Sequence, residues 1–176
     1  MRAPWWNYAW DAAYFITICT NDRRWYFGYI RNSVMHLTEP GTIAQQCWNE
    51  ITDHAKNVDL GEFVVMPNHV HGILVLKGNW KFGSEFPIKS EPWMLHPRYQ
   101  NPGKNTISSI IGSYKSAVSK HSHLLGYPFE WQSRFHDHII RNDDEYQRIS
   151  AYIRNNPRKW PHDRYRQPMA NGGHID

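Results

Sequence analysis

The tightest constraint in this sequence is a chain reversal, with Pro67-Asn68 set between two strand-like runs, 62–66 and 69–76. Proline fixes φ and removes a backbone donor, so the chain turns there instead of extending one ladder. The second run opens His69-Val70-His71-Gly72-Ile73. Residues two apart on a strand share a face, so His69 and His71 project side by side while Val70 points to the opposite face, towards the core. Two neutral imidazoles placed in this way can clamp one divalent ion. The same spacing also describes two surface histidines in a chain that holds eleven, so spacing alone leaves both readings open.

Other segments supply the framework. Residues 13–20 are β-branched and aromatic and read as a buried strand. Asn21-Asp22 opens a turn after it, with 25–30 as its hairpin partner. Thr42 caps a helix reaching about Asn57, with Ile43, Cys47 and Ile51 on its apolar stripe. Thr106 opens a second helix to about Lys120, striped by Ile107, Ile110, Ile111, Tyr114 and Val118. Residues 131–140 read as a further strand. A third helix is expected over 143–155, acidic in its first turn and ended by Asn156-Pro157. Strands interleaved with helices in this order predict an α+β fold, an antiparallel sheet with helices packed on it.

One domain accounts for the length of 176 residues. The expected core runs over about 13–160, with a long loop at 77–105 and a flexible C-terminal tail at 161–176. From 97 to 170 there are 12 Lys and Arg against six Asp and Glu, whereas 1–96 hold eight against nine. A basic half on a near-neutral half points to a polyanion partner. Cys19 and Cys47 form no CxxC pair, which argues against a disulfide framework or a thiolate zinc site. No run approaches a membrane span and the N-terminus lacks the apolar core of a signal peptide, so a cytoplasmic protein is expected.

The string from Met66 to Ile73 resembles the His-hydrophobic-His (HUH) signature of nucleases that act on single-stranded DNA. Further segments are similar to the same family: Tyr14-Phe15-Ile16-Thr17, Ser113-Tyr114-Lys115-Ser116, the run from Trp131 to His138, and 143–160 with Tyr152-Ile153 and Asn156-Pro157. Together they resemble the single-tyrosine HUH transposases, and most of all the REP-associated ones. The resemblance implies a ferredoxin-like, RRM-like sheet of the HUH endonuclease type. It also implies a divalent cofactor, Mg2+ or Mn2+, and a partner that is single-stranded or hairpin DNA. The protein would be a monomer or a homodimer.

The implied chemistry is attack of a tyrosine on a DNA phosphate, leaving a 5′-phosphotyrosine and a free 3′-OH. The resemblance points to Tyr114 as nucleophile, with Tyr127 and Tyr146 in reserve, and to His69 and His71 as metal ligands. The family pattern places a polar third ligand four positions after the tyrosine. After Tyr114 that position is Val118, so His121, His138 or Asp137 would have to substitute. Lys115, Lys120, Arg134, Arg141, Arg154 and Arg158 are the expected DNA contacts, with Trp80 and Trp93 available for stacking on bases. Two competing readings remain: a catalytically degenerate DNA- or RNA-binding domain on the same fold, and a phosphodiesterase that uses activated water.

Overall fold

The computed structural model describes residues 12–77 and 106–166. Four strands, β1 (Ala12–Cys19), β4 (Val58–Met66), β5 (His69–Leu76) and β6 (His136–Ile140), form one sheet in the order β4-β5-β1-β6. All three pairings are antiparallel. Strands β2 (Gly28–Arg31) and β3 (Val34–Leu37) form a separate two-stranded ribbon. The expected pairing of 25–30 with the first strand is therefore replaced by a local hairpin. Asn32 and Ser33 turn it at φ 52 and 65, the left-handed geometry that a tight two-residue turn demands.

The first helical stretch is also divided differently. Thr38, not Thr42, caps α1 (Glu39–Asn49), its side chain accepting from the Gly41 N–H. A short α2 (Ile51–His54) follows. Thr106 and Ser109 cap α3 (Ile107–Leu124) reciprocally, an arrangement that satisfies two otherwise orphaned donors. Asn142 caps α4 (Asp143–Lys159) by accepting from the Glu145 N–H at 2.8 Å. Asp143, Asp144 and Glu145 in its first turn suit the positive end of the helix dipole. The helix runs past the expected stop at Pro157. The Pro157 ring forgoes the bond to the Ile153 carbonyl, and the helix ends two residues later at Lys159.

The helices lie on both faces of the sheet. Alternation along β5 sends Val70, Gly72 and Leu74 to the α1/α3 side. There Trp48, Ile107, Ile111, Tyr114 and Val118 join them in the larger core. Gly72 makes room for the Trp48 indole, since a Cβ there would sit 2.3 Å from Trp48 Cζ2. On the other face Ile73, Ile140 and Ile153 form a smaller core that α4 covers, with Phe15, Val64 and Tyr152 at its margin. Covering both faces is why nearly all of β5 is buried.

Candidate active site

His69 and His71 lie on a central strand with side chains on the α4 face, and both are 0% exposed. Their Nε2 atoms are 3.1 Å apart. Hydrogen bonding fixes one tautomer. The Asn68 amide nitrogen donates to the Arg23 and Tyr165 carbonyls, so its oxygen is left to accept from His69 Nδ1 at 2.8 Å. His69 Nε2 then carries a lone pair aimed at His71. The Thr17 hydroxyl lies 2.8 Å from His71 Nδ1. If Thr17 donates there, His71 Nε2–H donates to His69. If His71 donates to Thr17, two lone pairs face each other and need a shared cation between them. Oriented imidazoles of this kind are typical of metal ligands held by a second layer of hydrogen bonds.

Burial, the largest cause, pushes both imidazoles below their usual range. His71 falls to about 3, with Arg164 adding repulsion. His69 falls well below 6.5, aided by His71, Arg23 and Arg164. Both rings are thus neutral at neutral pH, as ligation requires.

Asp163 completes a group with the two histidines whose donor atoms all lie within 4.8 Å of one another. Burial, partly offset by a bond from the Tyr165 N–H, raises its carboxyl above the usual value. Asp163 arrives on a 3-10 turn, Trp160–His162, and the strap after it. The Tyr165 ring packs 4.8 Å from that of His69, and Arg164 and Arg23 lie over the Tyr165 ring at 4.6 and 5.4 Å. Within the segment from 161, expected as a flexible tail, Asp163 and Tyr165 therefore lie against the histidines. Side chains seal both rings from solvent, so a phosphate reaches them only when one of these covers yields.

A second tyrosine beside the histidines, besides Tyr165, is Tyr152 on α4. Its hydroxyl lies 3.4 Å from His71 Nε2, a long contact, and its ring packs at 5.4 Å from that imidazole. Burial raises its pKa, opposed first by the Asn156 amide and more weakly by Arg164. Asn156, one helical turn further on, is 1% exposed, and neither of its amide atoms meets a partner at good hydrogen-bond geometry. Its amide lies next to the Tyr152 hydroxyl, and a buried polar group whose bonds are left unmade costs about 1–3 kcal/mol.

Tyr114 is elsewhere. It lies on the α1/α3 face, 2% exposed, edge-on to Trp48, with its hydroxyl donating to the Ala44 carbonyl at 3.1 Å. Burial holds its pKa well above 10. The sheet separates it from the histidines, because the apolar stripe that carries it is the one α3 turns into the larger core.

None of the three expected substitute ligands joins the histidines among the described residues. His138 is exposed on β6 and pairs with Glu145 at 2.9 Å. Asp137 lies one residue before it on that edge strand, and His121 is exposed on α3, on the other face. Lys115 is committed to structure, its ammonium donating to the Gln132 and Ser133 carbonyls at 2.6 and 3.2 Å. Lys120, Arg134, Arg141, Arg154 and Arg158 are exposed, although Arg154 pairs with Glu62 at 2.5 Å. Trp80 and Trp93 lie outside the described residues. Tyr127 is exposed beyond the end of α3, and Tyr146 lies on α4 against the bulged part of β4. Arg23 and Arg164, not among the expected contacts, are the cations that act on the histidines among the described residues.

Comparison with known proteins bears on the fold. No protein-family model matches the chain. An uncharacterised protein of Haemophilus influenzae is 35% identical over 164 residues, covering 93% of this chain and 89% of the relative. Among solved structures, a REP-associated tyrosine transposase bound to a REP hairpin superposes with a TM-score of 0.57 at 19% identity, over 99% of this chain and 94% of that one. Among the described residues no helix is long and apolar enough to cross a membrane.

Proposed function

This chain belongs to one family with the Haemophilus influenzae protein and has the fold of the single-tyrosine HUH transposases; on that premise we propose that it cuts and rejoins single-stranded DNA through Tyr152. The observation that carries the reading is the convergence of a half-buried helical phenol and two neutral imidazoles on one face of the sheet, with the Tyr152 hydroxyl 3.4 Å from His71 Nε2. The reading moves the nucleophile from Tyr114 to Tyr152. It also removes the difficulty at Val118, since the position four residues after Tyr152 is Asn156, a polar side chain able to donate an oxygen.

His69, His71 and Asp163 fit a divalent ion by donor type, two neutral nitrogens and a carboxylate, and the Asn156 amide next to Tyr152 would offer a further oxygen. Mg2+ or Mn2+ bound there would polarise the scissile phosphate and offset charge in the transition state. The remaining steps belong to the protein. Tyr152 is half-buried, so its proton can leave to water, while Arg164 and Asn156 favour the phenolate. Its oxygen then attacks phosphorus, the bond from phosphorus to the 3′ oxygen breaks, and that oxygen takes up a proton. The products are a 5′-phosphotyrosine and a free 3′-OH. Attack of a 3′-OH on that linkage restores the phosphodiester and releases Tyr152. Positioning and charge complementarity carry most of such a reaction.

The partner the reading favours is a folded single strand, such as the hairpin held by the structural neighbour. Arg23 and Arg164 supply cations at the site, Arg141 and Arg158 are exposed elsewhere on the chain, and affinity should fall steeply with salt as counterions are released. The test is to incubate the protein with single-stranded hairpin DNA and Mn2+ or Mg2+. The outcome expected is a covalent protein–DNA adduct that requires both the metal and Tyr152. Cleavage with no adduct would point to activated water, and binding with neither to a non-catalytic DNA-binding domain.

A further inference from the structure

A second polar recess lies beside the catalytic helix, outside the histidine site. The register of β4 against β5 shifts between Leu60 and Phe63. This bulge opens a recess of about 490 Å³ against α4, lined by Gly61, Glu62, Tyr146, Gln147, Ser150 and Arg154 among others. Gly61 is required there, since a Cβ would sit 2.7 Å from the Tyr146 hydroxyl and 2.8 Å from Ile73 Cβ. Bulges commonly re-aim side chains next to functional sites. At the recess wall Ser150 is 2% exposed and its hydroxyl has no partner.

The chemistry of the lining selects a class of ligand. Glu62 and Arg154 neutralise each other at 2.5 Å, so the recess does not favour a phosphate. It offers a carboxylate acceptor, guanidinium donors, an amide that does both, and two hydroxyls. A neutral planar group with mixed donors and acceptors along one edge matches that set, as a nucleobase does. Bases of a single strand are free to splay out of the stack into such pockets. Ser150 and Tyr152 are two residues apart, about 3 Å along the helix axis, but on different sides of α4. A strand whose phosphate meets Tyr152 can thus place a neighbouring base on the β4 side of the same helix.

We propose that this recess receives one nucleobase of the strand cut at Tyr152 and sets a sequence preference at that nucleotide, an inference that rests on the DNA-cutting function proposed above. The test is a binding selection from a pool of hairpin oligonucleotides with randomised single-stranded flanks. It is run on the wild-type protein, Gln147→Ala and Ser150→Val, with thermal melting as the fold control. The wild type is expected to enrich one base at one flank position. Both variants should reduce that preference about tenfold while preferences elsewhere and the salt dependence stay as they were. Variants that keep the same base preference, or a wild type that enriches no base, overturn the inference but leave the DNA reading standing. A wild type that binds hairpins no better than blunt duplex overturns both.

Discussion

The two faces of the sheet each hold a helical tyrosine over β5, and they have opposite characters. On the α1/α3 face Tyr114 is packed among Trp48, Ile110 and Val118, with its hydroxyl donating to a backbone carbonyl. On the α4 face Tyr152 meets His71, with Asn156, Asp163 and Arg164 close enough to shift its pKa. The first arrangement holds the phenol protonated and closed in. The second surrounds a half-buried phenol with groups that can bind a metal and a phosphate. A tyrosine's place on a helix therefore says little about its chemistry until the facing strand positions are known. One strand supplies both faces, and its alternation decides which helix meets the histidines.

Exchanging the hydroxyls tests this contrast most severely. Tyr152→Phe is expected to abolish the covalent adduct while leaving hairpin affinity nearly unchanged. Tyr114→Phe should keep the adduct and cost about 1 kcal/mol of stability, the worth of one buried hydrogen bond. The readouts are adduct yield on a denaturing gel and chemical denaturation.

The histidine face can be broken from the other side. His69→Ala or His71→Ala is expected to remove the metal dependence of cleavage together with the cleavage itself. Isothermal titration with Mn2+ should lose its binding signal. Binding equal to the wild type in either variant would place the ion elsewhere.

The core face responds through packing. Gly72→Ala puts a methyl group 2.3 Å from the Trp48 ring, and overpacking of this kind costs about 1–3 kcal/mol. Denaturation should show that loss. The reference is Gly112→Ala on α3, where an added Cβ meets nothing within 4 Å.

The smallest effect expected is one of pH. His71 titrates at 6.5 when unfolded and at about 3 when folded, so between those values the unfolded chain binds a proton that the folded one does not. Its contribution is fully present above about pH 6.5 and is lost as pH falls towards about 3. Thermal melting of His71→Gln should show a shallower acid slope than the wild type over that window.

Much of this was legible in the sequence. The strand carrying the histidines starts at His69 as read, because Pro67-Asn68 enforces the turn. Alternation alone put both imidazoles on one face. The α3 stripe was legible as well, and its apolar periodicity is what holds Tyr114 in the core; the local Ser113-Tyr114-Lys115-Ser116 likeness pointed the other way. Tyr152 and Asn156 enter the resemblance only as part of the segment 143–160, although their four-residue spacing is the one the family pattern sets between tyrosine and polar ligand. Asp163 was hidden for a different reason. It reaches the histidines through a strap after the last helix, and no periodicity encodes where such a strap docks. The division of helices between two faces was similarly invisible, since an apolar stripe drives a helix onto the sheet without saying onto which face.

The central claim is most directly tested by mapping the adduct itself. Protein trapped on hairpin DNA with Mn2+ is digested with trypsin and nuclease, and the nucleotide-bearing peptide is identified by mass spectrometry. The account predicts that the modification falls on Tyr152, in the peptide spanning 149–154. Modification of Tyr114, in the peptide spanning 105–115, would contradict it.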